Sequence, residues 1–136
     1  MRLFIASADK TSRLALLLLL ESEPGIIVTG MSDRPTDLLA VVRASQPEVV
    51  VLDDGLATQA TGQLVNDLHI LEFHPKVIVL SLNPQTAATT LAAGADGFIS
   101  KTAPPGELLP ILRKMRLSDT LVSTGGLIDV DARQRD

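Results

Sequence analysis

Five short aliphatic runs, each separated from the next by enough chain for a helix, are what most constrain this fold. They are "RLFIAS" (2–7), "IIVTG" (26–30), "VVVLD" (49–53), "VIVLS" (77–81) and "GFISK" (97–101). Each has the length, the β-branched or bulky content and the flanking turn residues of a strand. The apolar residues run on without alternating, as in strands of a parallel sheet buried on both faces. Helical patterns fill the gaps, over residues 11–21, 37–44, 63–71, 86–93 and 104–115. Asn83-Pro84 reads as a helix start, and Gly94 stands where a left-handed C-terminal cap is wanted. Pro47 and Pro75 precede the third and fourth strands. Strand then helix, five times over, predicts an α/β domain: a (βα)5 chain with right-handed crossovers and an open parallel sheet covered on both faces.

Composition narrows the class. The chain is 46% hydrophobic but only 2% aromatic, so its core is aliphatic, which argues against a small β-sandwich. Its 136 residues suit one domain. Twelve basic against sixteen acidic residues give a net charge of −4, not the basic footprint of a nucleic-acid-binding segment. With no cysteine, a disulfide framework, a thiolate nucleophile and a cysteine metal site are excluded. The run "LALLLLL" (14–20) is too short to span a bilayer and lacks the flanks of a signal peptide. The expectation is a cytoplasmic protein with no membrane partner. After Met115 the periodicity fades, so residues 1–116 read as the domain and 117–136 as linker or C-terminal tail. The alternative is that residues 117–122 extend the last helix.

In an open parallel sheet, ligands bind beyond the carboxyl ends of the strands. Asp9, Asp53, Asp54, Ser81 and Lys101 follow or end those strands here. A carboxylate, a hydroxyl and an ammonium on one rim can accept a phosphoryl group, hydrogen-bond it and pair its charge. Lys101 needs a partner to offset desolvation, and Asp53 is the obvious one, whether or not phosphate ever arrives. Asp54, next to Asp53, is expected on the opposite face of the strand.

These residues carry a resemblance. Residues 2–116 resemble the receiver domain of two-component response regulators. "PEVVVLD" looks like the family's third strand, which maps its phosphoacceptor onto Asp53. "VIVLS" maps the family's switch hydroxyl onto Ser81, and "GADGFISK" maps its switch aromatic onto Phe98 and its lysine onto Lys101. "KTAPPGELLPILRKM" is similar to receivers whose output is a helix-turn-helix DNA-binding domain. The resemblance implies a CheY-like, flavodoxin-like sheet in the order 2-1-3-4-5. It implies that a sensor histidine kinase donates a phosphoryl group to Asp53. The face formed by helix four, strand five and helix five would then switch, and a homodimer would form through it. It also implies either a stand-alone receiver or one followed by a DNA-binding output domain beyond residue 136, no direct DNA contact by this segment, and no enzymatic activity beyond self-phosphorylation and autodephosphorylation. A Mg2+ ion would be held by Asp53, by the backbone of Gly55 and by carboxylates after the first strand.

The first strand departs from that pattern. Aligning Arg13 with the family's helix-one arginine puts Ser7 and Ala8 where an acidic pair is usual, so Mg2+ binding is expected to be weak or absent. Asp9 is then either the N-cap of the first helix or, with a one-residue slip, a metal ligand. Leu56 and Ala57 stand in place of the usual Met-Pro pair. Two other readings remain open. One is an atypical receiver acting as a phosphorylation-independent interaction or dimerisation module. The other is a nucleotide- or flavin-binding enzyme on the same fold, though "ADKTSR" after the first strand offers no glycine for a phosphate loop.

Overall fold

Strands β1 (Arg2–Ala6), β2 (Ile27–Ser32), β3 (Val49–Asp53), β4 (Lys76–Ser81) and β5 (Gly97–Ser100) pair in parallel in the order β2-β1-β3-β4-β5. The structure, a computed structural model, describes residues 1–56 and 61–123. Helices α1 (Lys10–Glu21), α2 (Leu38–Ser45), α3 (Thr61–His69) and α4 (Pro84–Ala92) connect the strands, and α5 (Leu108–Ser123) follows the last one. This is the doubly wound α/β fold that the alternating pattern predicts. The chain divides into two compact units, Met1–Pro105 with the sheet and α1 to α4, and Gly106–Asp136 with α5.

Strand parity sorts the buried side chains of the first unit onto two faces. Phe4, Ala6, Val50, Leu52, Val77 and Val79 cluster with Leu38 and Val42 of α2 and Leu64, Val65 and Leu68 of α3. Leu3, Ile5, Val49, Val51, Ile78, Leu80 and Ile99 are buried on the opposite side. There, crossover handedness places α1, whose buried residues are Leu16 and Leu20. Only β1 and β3 are neighbours whose connections leave in opposite directions, so the topological switch point lies at their carboxyl ends.

Most boundaries differ from the sequence pattern by one or more residues. Strand β2 continues past Gly30 to Ser32, because Met31 pairs with Ile5 and Ser32 with Ala6. Pro84 opens α4, the start that Asn83-Pro84 signals, two residues before the apolar pattern begins, with the Asn83 carboxamide accepting from the Gln85 N–H as its N-cap. A 3-10 turn at Pro105–Glu107 precedes α5, which runs on to Ser123, so residues 117–123 are helical. On α5, Leu108, Leu112 and Met115 recur at helical spacing. Ala57 and residues 124–136, the remainder of the expected tail, lie outside the described residues.

Candidate functional site

The register of the sheet builds the site. Leu3 to Ala6 lie opposite Val49 to Leu52, so the next step puts Ser7 beside Asp53. Both are buried, and Asp53 is only 2% exposed. The Ser7 hydroxyl donates to Asp53 Oδ2 at 2.9 Å. The other carboxylate oxygen, Oδ1, accepts from the Gly55 N–H at 2.9 Å and lies 2.5 Å from Lys101 Nζ. A Cβ at Gly55 would sit 3.3 Å from Asp53 Oδ1, a tight contact that a shift of a few tenths of an ångström relieves. Lys101 follows Ser100 at the end of β5, and its N–H extends the ladder to the Ser81 carbonyl. Its ammonium reaches Asp53 across β4 on the face that Leu80 and Ile99 share with Asp53. The Asp53–Lys101 pair anticipated from the sequence is thus formed. Phe98 is half-buried on β5 opposite Val79.

Ser81 is also buried at the rim, but its hydroxyl donates to Asp54 Oδ2. The expectation for Asp54 missed the consequence of its position. Asp53 pairs with Leu80, so Asp54 falls level with Ser81, on Ser81's face and not on that of Asp53. A 3-10 turn over Asp54–Leu56 keeps it there. Its Oδ1 lies 4.0 Å from Lys101 Nζ, and its Oδ2 accepts from the Thr86 hydroxyl at 3.5 Å. Lys101 therefore faces both carboxylates. Asp54 and Ser7 are the site residues that sequence reasoning undervalued. Knowing how β3 pairs with β1 and β4 would have found both.

Asp9 caps α1. Its Oδ1 accepts from the Thr11 N–H at 3.2 Å and its Oδ2 from the Ser12 hydroxyl at 2.6 Å. The Ser12 hydrogen bond holds its carboxyl below the ordinary value; desolvation opposes it, and weaker backbone bonds from Thr11 and Ser12 and the charge of Lys101 add to the lowering. The side chain is spent on the helix end, as the capping reading has it. Arg13 donates to the Ser7 carbonyl at 2.8 Å, so the end of β1 carries a cation. A Mg2+ ion favours several oxygen ligands, carboxylates above all. Here Ser7 and exposed Ala8 supply no carboxylate, and Asp53 already accepts from three donors. Among the described residues no group of three or more His, Asp or Glu side chains could hold a metal. This donor set does not fit the ion.

A buried strand-end aspartate paired with a strand-end lysine agrees with what comparison finds. The response regulator receiver domain family matches residues 3–113. The chain belongs to that family. This receiver is 31% identical over 137 residues to a putative transcriptional regulator of Pseudomonas aeruginosa, a match covering 99% of this chain and 66% of that protein. It is 30% identical over 135 residues to the virulence factors putative positive transcription regulator BvgA of Bordetella pertussis, covering 87% of this chain and 64% of that one. The receiver thus spans about two thirds of the length of these curated relatives. A two-component response regulator of the LuxR family from Aurantimonas sp. superposes with a TM-score of 0.76 at 19% identity, covering 84% of this chain and 83% of that one, a likeness of fold. Among the described residues no helix is long and apolar enough to cross a membrane.

Proposed function

We propose that this receiver accepts a phosphoryl group on Asp53 from a phosphohistidine of a sensor kinase. A carboxylate oxygen of Asp53 forms the new P–O bond. The P–N bond of the donor breaks, and its electron pair stays with the imidazole, which takes a proton from water. The observation that carries this reading is the 2.5 Å contact of Lys101 with a carboxylate buried at the end of β3 in a chain of the receiver family. Such transfers depend on positioning and charge compensation. A side-chain phosphate brings roughly −1.5 to −2 charge, and Lys101, with three N–H donors, can serve the carboxyl and the phosphoryl oxygens together. Ser81 and Phe98 are the switch residues in this reading. Mg2+ is bound weakly or not at all, and no step is assigned to it.

Because the relatives are named as transcription regulators and are longer than this chain, the receiver is read as controlling a DNA-binding output segment. A second copy would dock on the face that includes α4 and β5. Intact mass measured after incubation with acetyl phosphate, with and without Mg2+, tests the central step. One phosphoryl group is expected on the wild type and none on Asp53→Asn. No gain under either condition would favour the phosphorylation-independent module instead.

A further inference from the structure

The hydroxyl of Ser81 is committed in the resting site, and the group that holds it is a second carboxylate. A serine hydroxyl has one hydrogen to donate. Here it goes to Asp54 Oδ2, while Ser81 Oγ itself accepts from the Asn83 N–H at 2.9 Å. The Asn83 carbonyl, at 3.4 Å, is a distant second acceptor. Asp54 also accepts from Thr86 in the first turn of α4 and faces Lys101. One carboxylate therefore ties the turn after β3 to the end of β4, to the start of α4 and, at longer range, to the end of β5.

We propose that Asp54 is a positioning residue that latches the resting state, holding the Ser81 hydroxyl and drawing on the Lys101 charge that a phosphoryl group on Asp53 would need. This rests on the reading of Asp53 as the acceptor. The two carboxylates compete. Asp53 and Asp54 share one nearby ammonium, and a phosphoryl group adds further negative charge beside them. Like charges at this range disfavour one another, and the more so where water is scarce. The incoming group recruits Ser81 and Lys101 only as they leave Asp54. Asp54 then loses its hold on Ser81, and with it the arrangement that includes Thr86. The first turn of α4 is thereby released by the same event that charges Asp53.

The test compares wild type, Asp54→Asn, which keeps the shape and removes the charge, and Asp54→Ala. On the unphosphorylated proteins, hydrogen–deuterium exchange of the segment 82–87 is expected to quicken in Asp54→Ala. Unchanged exchange overturns the latch. With acetyl phosphate, whose P–O bond to the acetyl group breaks as acetate leaves with the electron pair, intact mass gives the rate of phosphoryl gain. Releasing one hydrogen bond of ordinary net strength predicts a gain about 2- to 10-fold faster in Asp54→Ala, with a smaller increase in Asp54→Asn, whose carboxamide oxygen still accepts from Ser81. A merely structural residue would lower stability without speeding transfer, so an equal or slower rate overturns the proposal. If none of the three proteins takes up phosphate, the acceptor reading falls, and exchange alone decides whether Asp54 holds Ser81.

Discussion

Ser7 and Asp53 stand side by side, and a hydroxyl instead of a carboxylate at that place sets what the pair tolerates. The hydroxyl donates a hydrogen bond to a buried anion. A carboxylate there would be a second buried anion within the same distance. Ser7→Asp is therefore expected to lose about 1 kcal/mol or more in a chelator, a fall of roughly 3–5 °C in Tm per kcal/mol. Mg2+ should restore most of the loss by binding only the folded form, while wild-type Tm stays unmoved by Mg2+. Calorimetry with and without Mg2+ checks both halves. At the other carboxylate beyond β1 the sign of the pH dependence follows from its lowered pKa. Asp9 is held below its ordinary value, so its contribution is complete above that value and is lost as pH falls through the lowered one. Asp9→Ala should thus lower Tm most near neutrality, with the gap to wild type closing in acid. Asp9→Asn, which keeps a capping acceptor, should lose less. Asp53 and Lys101 were legible from the sequence because each stands at the end of a strand-like run. Asp54 was not, because period-two reasoning along β3 locates its face but not that Ser81 shares it.

At the scale of elements, Gly30 shows what periodicity leaves out. The aliphatic pattern ends there, yet β2 passes through it to Ser32 and pairs it with Phe4. A Cβ at Gly30 would lie 3.0 Å and 3.2 Å from two atoms of the Phe4 ring. That ring is fully buried in the cluster under α2 and α3, so it has little room to yield. Gly30→Ala is expected to cost about 1–3 kcal/mol, read as a lower urea midpoint with unchanged slope. Gly106→Ala, where nothing lies within 4 Å, should change the midpoint little. A glycine that ends an apolar run in the sequence looks like a turn, and only the pairing partner reveals it as a packing site. The delayed start of α5 has a different cause. Pro104-Pro105-Gly106 disfavours regular α-helix, and the chain makes a 3-10 turn before Leu108. Helical spacing in the sequence cannot separate the two forms over so few residues.

At the scale of the whole sheet, the Asp53–Lys101 pair joins the ends of β3 and β5, which are not neighbours, across β4. The alternation of elements made the parallel sheet legible, and the resemblance implied its order. The tie between non-adjacent strands could be read only as a charge needing a partner. Its strength can be measured by a double-mutant cycle. Lys101→Met leaves an almost fully buried carboxylate with only the Ser7 hydroxyl and the Gly55 N–H. Stranding a buried charge costs up to about 3–5 kcal/mol, here reduced because a quarter of the Lys101 side chain is in water. Asp53→Asn is the milder change, since Lys101 keeps solvent and Asp54 at 4.0 Å. With both changes no buried anion is left at residue 53, so the double variant should be more stable than the sum of the single losses allows, by about 1–3 kcal/mol. Urea denaturation of the four proteins measures this coupling. Since the carboxylate is buried, added salt should weaken the coupling less than it would between exposed charges. Strict additivity would mean that the ends of β3 and β5 are held together by the packing of β4 alone.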